Sequence, residues 1–179
     1  MFNRDQAVLL VIDVQGKLAS LMHEKEILFK NIQAMIKGAQ IFGIPILWTE
    51  QVPEKIGNTI PEIAKLLKDQ QPIEKESFSC VPNKRFMEAL LALNRKQIVV
   101  TGIETHVCVY QTAADLISQG YQLQVVCDAV SSRSSENKRI ALERLKQLGA
   151  QMTCAEMILC ELLKTTEDKK FKEILGLMK

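Results

Sequence analysis

Histidine is scarce in this chain: only His23 and His106 occur in 179 residues. A thiol activated by an imidazole is therefore hard to assemble. Cysteine occurs five times but never as CxxC, and the count is odd. A disulfide framework is not indicated, and a reduced, intracellular setting is expected. No apolar run approaches the roughly 20 residues of a membrane span. The opening MFNRDQ resembles neither a signal peptide nor an Arg-rich, acid-poor transit peptide, so a cytoplasmic location is expected. No GxGxxG follows the first strand signal and no GxxxxGK occurs, which argues against dinucleotide and P-loop phosphate binding. Charge of one sign is also lacking. Lys and Arg number 23 against 21 Asp and Glu, and they are scattered, so no nucleic-acid face is expected. Repeats, linkers and low-complexity segments are absent.

What remains is an ordinary globular composition, 47% hydrophobic and 25% charged. A chain of this length buries roughly two-thirds of its unfolded surface, so one domain over residues 1–179 needs no metal or disulfide. Short apolar runs alternate with amphipathic ones. Ala7 to Ile12 (AVLLVI) reads as a buried strand, Ile44 to Thr49 as a second, and Ile73 to Lys75 as a weaker third. Gln97 to Gly102, Tyr121 to Cys127 and Gln151 to Thr153 are the fourth, fifth and sixth. Helical spacing runs from Glu24 to Phe42, Pro61 to Leu67, Pro82 to Leu93, Thr105 to Ser118, from Ser135 to before Gly149, and Ala155 to Leu163. Phe171 to Met178 is a terminal amphipathic helix that could serve assembly. The pattern specifies an α/β fold, a doubly wound parallel six-stranded sheet with helices on both faces. Right-handed crossovers make 3-2-1-4-5-6 the leading strand order. Thr49 to Asn58 and Ser131 to Asn137 are polar and read as rim loops.

In such sheets ligands sit beyond the carboxyl ends of the strands where the winding reverses, here between strands one and four. Asp13 terminates strand one, as a turn residue or as a general base. Cys108 lies in the first turn of the helix after strand four. It is either a small core residue or a nucleophile whose pKa the helix N-terminus and a nearby lysine hold down. Lys75 ends strand three, as a solvated lysine or as the fixed positive charge beside Asp13 and Cys108. His106 stands two residues from Cys108 and does not face it on a helix, so it serves poorly as the base and better as a substrate contact. His23 reads as a solvated helix-start residue. Cys127, Cys154 and Cys160 read as structural, and Cys80, near Lys75, has no assigned role.

Three segments, VLLVIDVQ around Asp13, EKESFS around Lys75 and VVTGIETHVCV around Cys108, resemble those of the isochorismatase-like cysteine hydrolases, in the same order. The likeness spans Gln6 to about Leu163 and is nearest the small isochorismatase-domain proteins. It implies an Asp–Lys–Cys triad of Asp13, Lys75 and Cys108. It also implies a cis peptide between Ile103 and Glu104 and an oxyanion hole from the N–H groups of Glu104 and Cys108. Nicotinamidases of this superfamily carry an Asp-x-His metal motif after the second strand. The corresponding WTEQVPEKIGNT has no histidine, so neither metal nor cofactor is expected. Isochorismate-cleaving members typically lack the cysteine, so Cys108 favours acyl transfer.

The expected activity is hydrolysis of a small-molecule amide-type C–N bond through a thioester. Gln15, Trp48 and Phe78 are candidate substrate contacts, with capping for Gln15 and ordinary packing for the two aromatics as alternatives. The relatives imply a homo-oligomer, a dimer or larger. Two other readings stand: a non-catalytic scaffold on the same fold, and a hydrolase of vinyl-ether or ester substrates.

Overall fold

A computed structural model describes residues 1–178. Six strands carry the chain through the middle of the molecule: β1 (Ala7–Ile12), β2 (Ile46–Gln51), β3 (Ile73–Lys75), β4 (Gln97–Ile103), β5 (Gln122–Ser131) and β6 (Gln151–Thr153). All neighbours pair parallel, in the order β3-β2-β1-β4-β5-β6, as the alternating pattern predicts. The connections hold α1 (Gly16–Ser20), α2 (Lys25–Phe42), α3 (Pro53–Ile56), α4 (Pro61–Ala64), α5 (Lys84–Ala92), α6 (Tyr110–Ser118), α7 (Ser135–Gln147), α8 (Ala155–Leu163) and α9 (Phe171–Gly176). A π-helical turn, Thr105–Val109, precedes α6.

The central strand shows why the sheet is covered on both sides. Every residue of β1 is buried. Ala7, Leu9 and Val11 join the core under α2 and α8, with Leu28, Ile32, Ile36, Ile158 and Leu159. Val8, Leu10 and Ile12 join the opposite core, with Phe86 and Leu90 of α5, Leu116 of α6 and Leu145 of α7. Successive side chains of a strand point to opposite faces, so a continuous apolar run is what two covered faces require.

Several boundaries differ from the sequence reading. The second strand runs to Gln51, and α3 follows it, so the segment read as a polar rim loop is largely ordered backbone. The helix expected from Pro82 starts at Lys84, because the Asn83 side chain caps it by accepting from the Phe86 N–H at 3.0 Å. The terminal helix ends at Gly176, and Ile174 is fully buried while Leu177 and Met178 pack on the α2–α8 core. Its apolar side is thus used within the chain, which removes the basis for assigning it to assembly. Among the described residues, no helix is long and apolar enough to cross a membrane.

One glycine lets the site strands close up. Gly102 of β4 has φ +115°, and a Cβ there would stand 2.1 Å from the Ile12 carbonyl oxygen. Gly102→Ala is expected to lower unfolding free energy by about 2–4 kcal/mol, from backbone strain plus overpacking. Gly43→Ala, also at positive φ but with nothing within 4 Å, should cost only about 1–2 kcal/mol. Urea titration of both variants checks the contrast, and equal losses would remove the close-approach explanation.

Candidate active site

The carboxyl ends of β1, β2, β3 and β4 open on one rim, and the polar groups of the site stand there. Asp13 follows β1 directly, with φ +50°, a conformation aspartate tolerates better than most residues. Its N–H donates to the Thr49 carbonyl at 3.2 Å, and its Oδ1 accepts from the Thr49 hydroxyl at 2.7 Å. Oδ2 stands 2.6 Å from the Lys75 ammonium, and both side chains are under 4% exposed. That contact is an ion pair, and Oδ2 has no other hydrogen-bond partner among the described residues.

Lys75 reaches this position across β2. Its partner in the β2–β3 register is Gln51, whose Oε1 accepts from Nζ at 2.7 Å. The Ser77 and Phe78 carbonyls accept from Nζ at 3.1 Å each. One carboxylate and three neutral oxygens around an ammonium are what a buried cation needs.

Cys108 sits in the π-helical turn. The Ile103–Glu104 peptide is cis, at the position the resemblance implies. The Glu104 carbonyl receives the N–H groups of Val107 at 3.0 Å and Val109 at 3.3 Å, the second closing the wide turn. The Glu104 carboxylate accepts from the Arg133 backbone N–H and Nε, which ties the turn to the loop after β5. The turn presents the Cys108 sulfur to the rim, in a residue 7% exposed, within reach of the Asp13 charge and 3.9 Å from Gln51 Oε1.

The thiol is not held down, as the helix start and lysine led one to expect. Burial pushes it well above the ordinary thiol range, the Asp13 charge pushes the same way, and Lys75 opposes without prevailing. Cys80 is fully buried behind the same groups, its sulfur 3.9 Å from the Thr49 hydroxyl, and burial pushes its thiol up to about 11.

The remaining candidates separate clearly. Gln15 is fully buried. Its amide donates to the Gln51 carbonyl at 3.1 Å and the Gly57 carbonyl at 2.6 Å, and accepts the Gln51 N–H at 2.6 Å. It fastens the segment after β2, and its amide is spent on backbone rather than offered to a ligand. Trp48 belongs to the core under α2, on the face of the sheet opposite Cys108, so it packs and does not line the site. Phe78 is 54% exposed beside the Lys75-binding carbonyls. His106 Nδ1 lies 2.9 Å from Ser132 Oγ, a second tie between the turn and the loop after β5. Gln51 escaped the sequence reading, and only its register opposite Lys75 would have exposed it. A cleft of about 560 Å³ flanks Lys75, lined by Val52, Pro53, Glu54, Glu76, Ser77 and Asn83, with Cys108 outside its wall. Among the described residues no group of three His, Cys, Asp or Glu side chains could hold a metal ion.

Comparison with known proteins agrees with this architecture. The Isochorismatase domain family matches residues 7–157. The secreted isochorismatase effector Isc1 of Phytophthora sojae is 36% identical over 97% of this chain and 84% of its own. The structure of MAR1 ribonuclease from Caenorhabditis elegans superimposes with a TM-score of 0.91 at 35% identity, covering 99% of this chain and 91% of that one. The YcaC gene product of Escherichia coli, described as an octameric hydrolase of unknown specificity, gives 0.90 at 26% identity, covering 99% and 94%. The chain belongs to the isochorismatase family and has its hydrolase fold.

Proposed function

We propose that this protein is a cysteine hydrolase that cleaves a small-molecule amide-type C–N bond. One observation carries the reading: the buried Cys108 thiol lies within the influence of both members of an Asp13–Lys75 ion pair that is itself buried and closed at 2.6 Å. Asp13 takes the thiol proton as sulfur attacks the carbonyl carbon, which forms a C–S bond and a tetrahedral oxyanion. The backbone N–H groups of Glu104 and Cys108 hold that oxyanion. The C–N bond then breaks, and the amine leaves with the proton from Asp13. Water, giving a proton to Asp13, attacks the thioester; the C–S bond breaks, the acid departs, and the proton returns to sulfur. Lys75 keeps Asp13 in place and offsets its charge through the cycle. Phe78, with its ring half exposed, is the candidate apolar contact for the substrate.

A raised thiol suits this sequence better than a preformed thiolate would. A neutral thiol beside a base loses its proton during attack, so the site never carries two adjacent anions at rest.

Small amides and carbamoyl compounds, assayed for ammonia release, should contain a substrate. On it, Cys108→Ala is expected to lower the rate by roughly a thousandfold or more, and Asp13→Asn by about a hundredfold or more. Ammonia release that survives in the alanine variant would rule out the covalent route. RNA belongs in the same panel because of how the worm relative is described, and it is expected to remain intact.

The octameric relative supports self-association as well. Sedimentation is expected to give a mass that is a multiple of the 20.2 kDa chain, and a monomer at micromolar concentration would overturn that expectation.

A further inference from the structure

Gln51 is the polar side chain at the site to which the reaction above gives no task. Its placement is over-determined. Its backbone N–H and carbonyl are both bonded to Gln15, and its Nε2 donates to the Glu76 carbonyl at 2.6 Å. The orientation of the amide follows, since swapping its ends would set an N–H against the Lys75 ammonium and an oxygen against a carbonyl. Oε1 therefore faces Lys75 Nζ at 2.7 Å and the Cys108 sulfur at 3.9 Å.

We propose that Gln51 is a positioning residue that keeps the resting nucleophile protonated: its oxygen receives the Cys108 S–H and holds one arm of Lys75 away from the sulfur. The inference rests on Cys108 being the nucleophile, and it adds how that nucleophile is restrained until a carbonyl arrives. An amide oxygen is the negative end of a dipole. Close to sulfur it favours S–H over S⁻ and, by engaging the ammonium, weakens the group that would stabilise a thiolate.

The other charges near the turn do not compete for this task. Asp13, Lys75 and Cys80 act on the thiol from β1, β3 and the segment after β3. Glu104 is paired with Arg133, and His106 is turned to Ser132. On α7, Arg139 pairs with Glu136 and Glu143, while Arg144 stacks on Tyr110. On α6, Asp115 accepts from the Ser79 hydroxyl, and on β5, Asp128 accepts from the Ala155 N–H.

The test is the pH dependence of Cys108 alkylation by iodoacetamide, followed on the Cys108 peptide by mass spectrometry because Cys160 is exposed. The wild-type rate should climb from about pH 7 to about pH 9 without a plateau, since the thiolate fraction of a raised thiol grows about tenfold per unit. Gln51→Met keeps the side-chain length and the Gln15 backbone bonds but removes the acceptor. It should alkylate about threefold faster or more at fixed neutral pH. Gln51→Glu puts a full negative charge at the same place and should alkylate about tenfold more slowly. Melting curves confirm that both variants are folded. Coincident profiles for the three proteins, or a methionine variant slower than wild type, would overturn the proposal. Asp13→Asn serves as the separate control: a Cys108 rate unchanged in it would defeat the triad reading itself, whereas the role of Gln51 is judged from the order of the methionine and glutamate variants.

Discussion

The buried Asp13–Lys75 pair is the interaction on which the rest of the site depends. Two charges removed from water cost several kcal/mol each before any attraction between them is counted. Here that cost is offset by the ion contact itself and by four oxygen partners: the Thr49 hydroxyl on the carboxylate and the Gln51, Ser77 and Phe78 oxygens on the ammonium. None of these partners is near Asp13 in the chain. They converge because β2 extends past β1, so that Thr49 stands opposite Ile12 while Gln51 stands opposite Lys75. A slip of one residue in either pairing would turn these side chains to the other face and leave a carboxylate and an ammonium buried apart. Correct sheet register and an assembled site are thus one condition.

The segment after β2 is held to that register with unusual thoroughness. Gln15 grips it at Gln51 and Gly57, and Glu50, almost fully buried, accepts from the Thr59 N–H at 2.6 Å and the Asn58 amide at 3.2 Å. Gly16 contributes by its size: a Cβ there would stand 2.3 Å from the Ile56 carbonyl oxygen. Val52 adopts φ +37°, which a β-branched side chain resists. Strain of that kind persists only where surrounding contacts outweigh it. The result is that Gln51, between Gln15 and Val52, has almost no freedom in how it meets Lys75 and Cys108.

The large-scale order of the molecule was legible in the chain because apolar runs and Gly-terminated amphipathic segments are local signals. The strand order followed from crossover handedness, and the rim placement of Asp13, Lys75 and Cys108 followed from their positions at segment ends. Less legible was everything set by contacts across strands. Trp48 and Thr49 are adjacent in sequence, yet one enters the core under α2 and the other binds Asp13, and only the register tells them apart. Gln15 looked available to a ligand because its partners lie 36 and 42 positions away. The sequence places Cys108 in the first turn of an ordinary helix, since the spacing of Val109, Ala113 and Leu116 is helical on either account, and it carries no signal for the π-helical turn that the structure has there.

The direction of the Cys108 shift shows how far a local rule can mislead. A helix start and a lysine lower a thiol when the thiol is partly solvated and the lysine is free. Here the sulfur is buried, Lys75 is already bound to a carboxylate and three other oxygens, and the same carboxylate faces the sulfur. A thiolate formed at rest would sit against an anion in a medium that screens it poorly. In the proposed reaction, proton transfer to Asp13 would remove that repulsion as the new charge forms: the carboxylate would be neutralised in the step that makes sulfur nucleophilic, and the charge would move on to the carbonyl oxygen. Lys75 would then face one negative charge at each stage of that reaction. An ion pair that looks structural, and that does hold the ends of β1, β2 and β3 together, is on the proposed mechanism also what would let a buried thiol react.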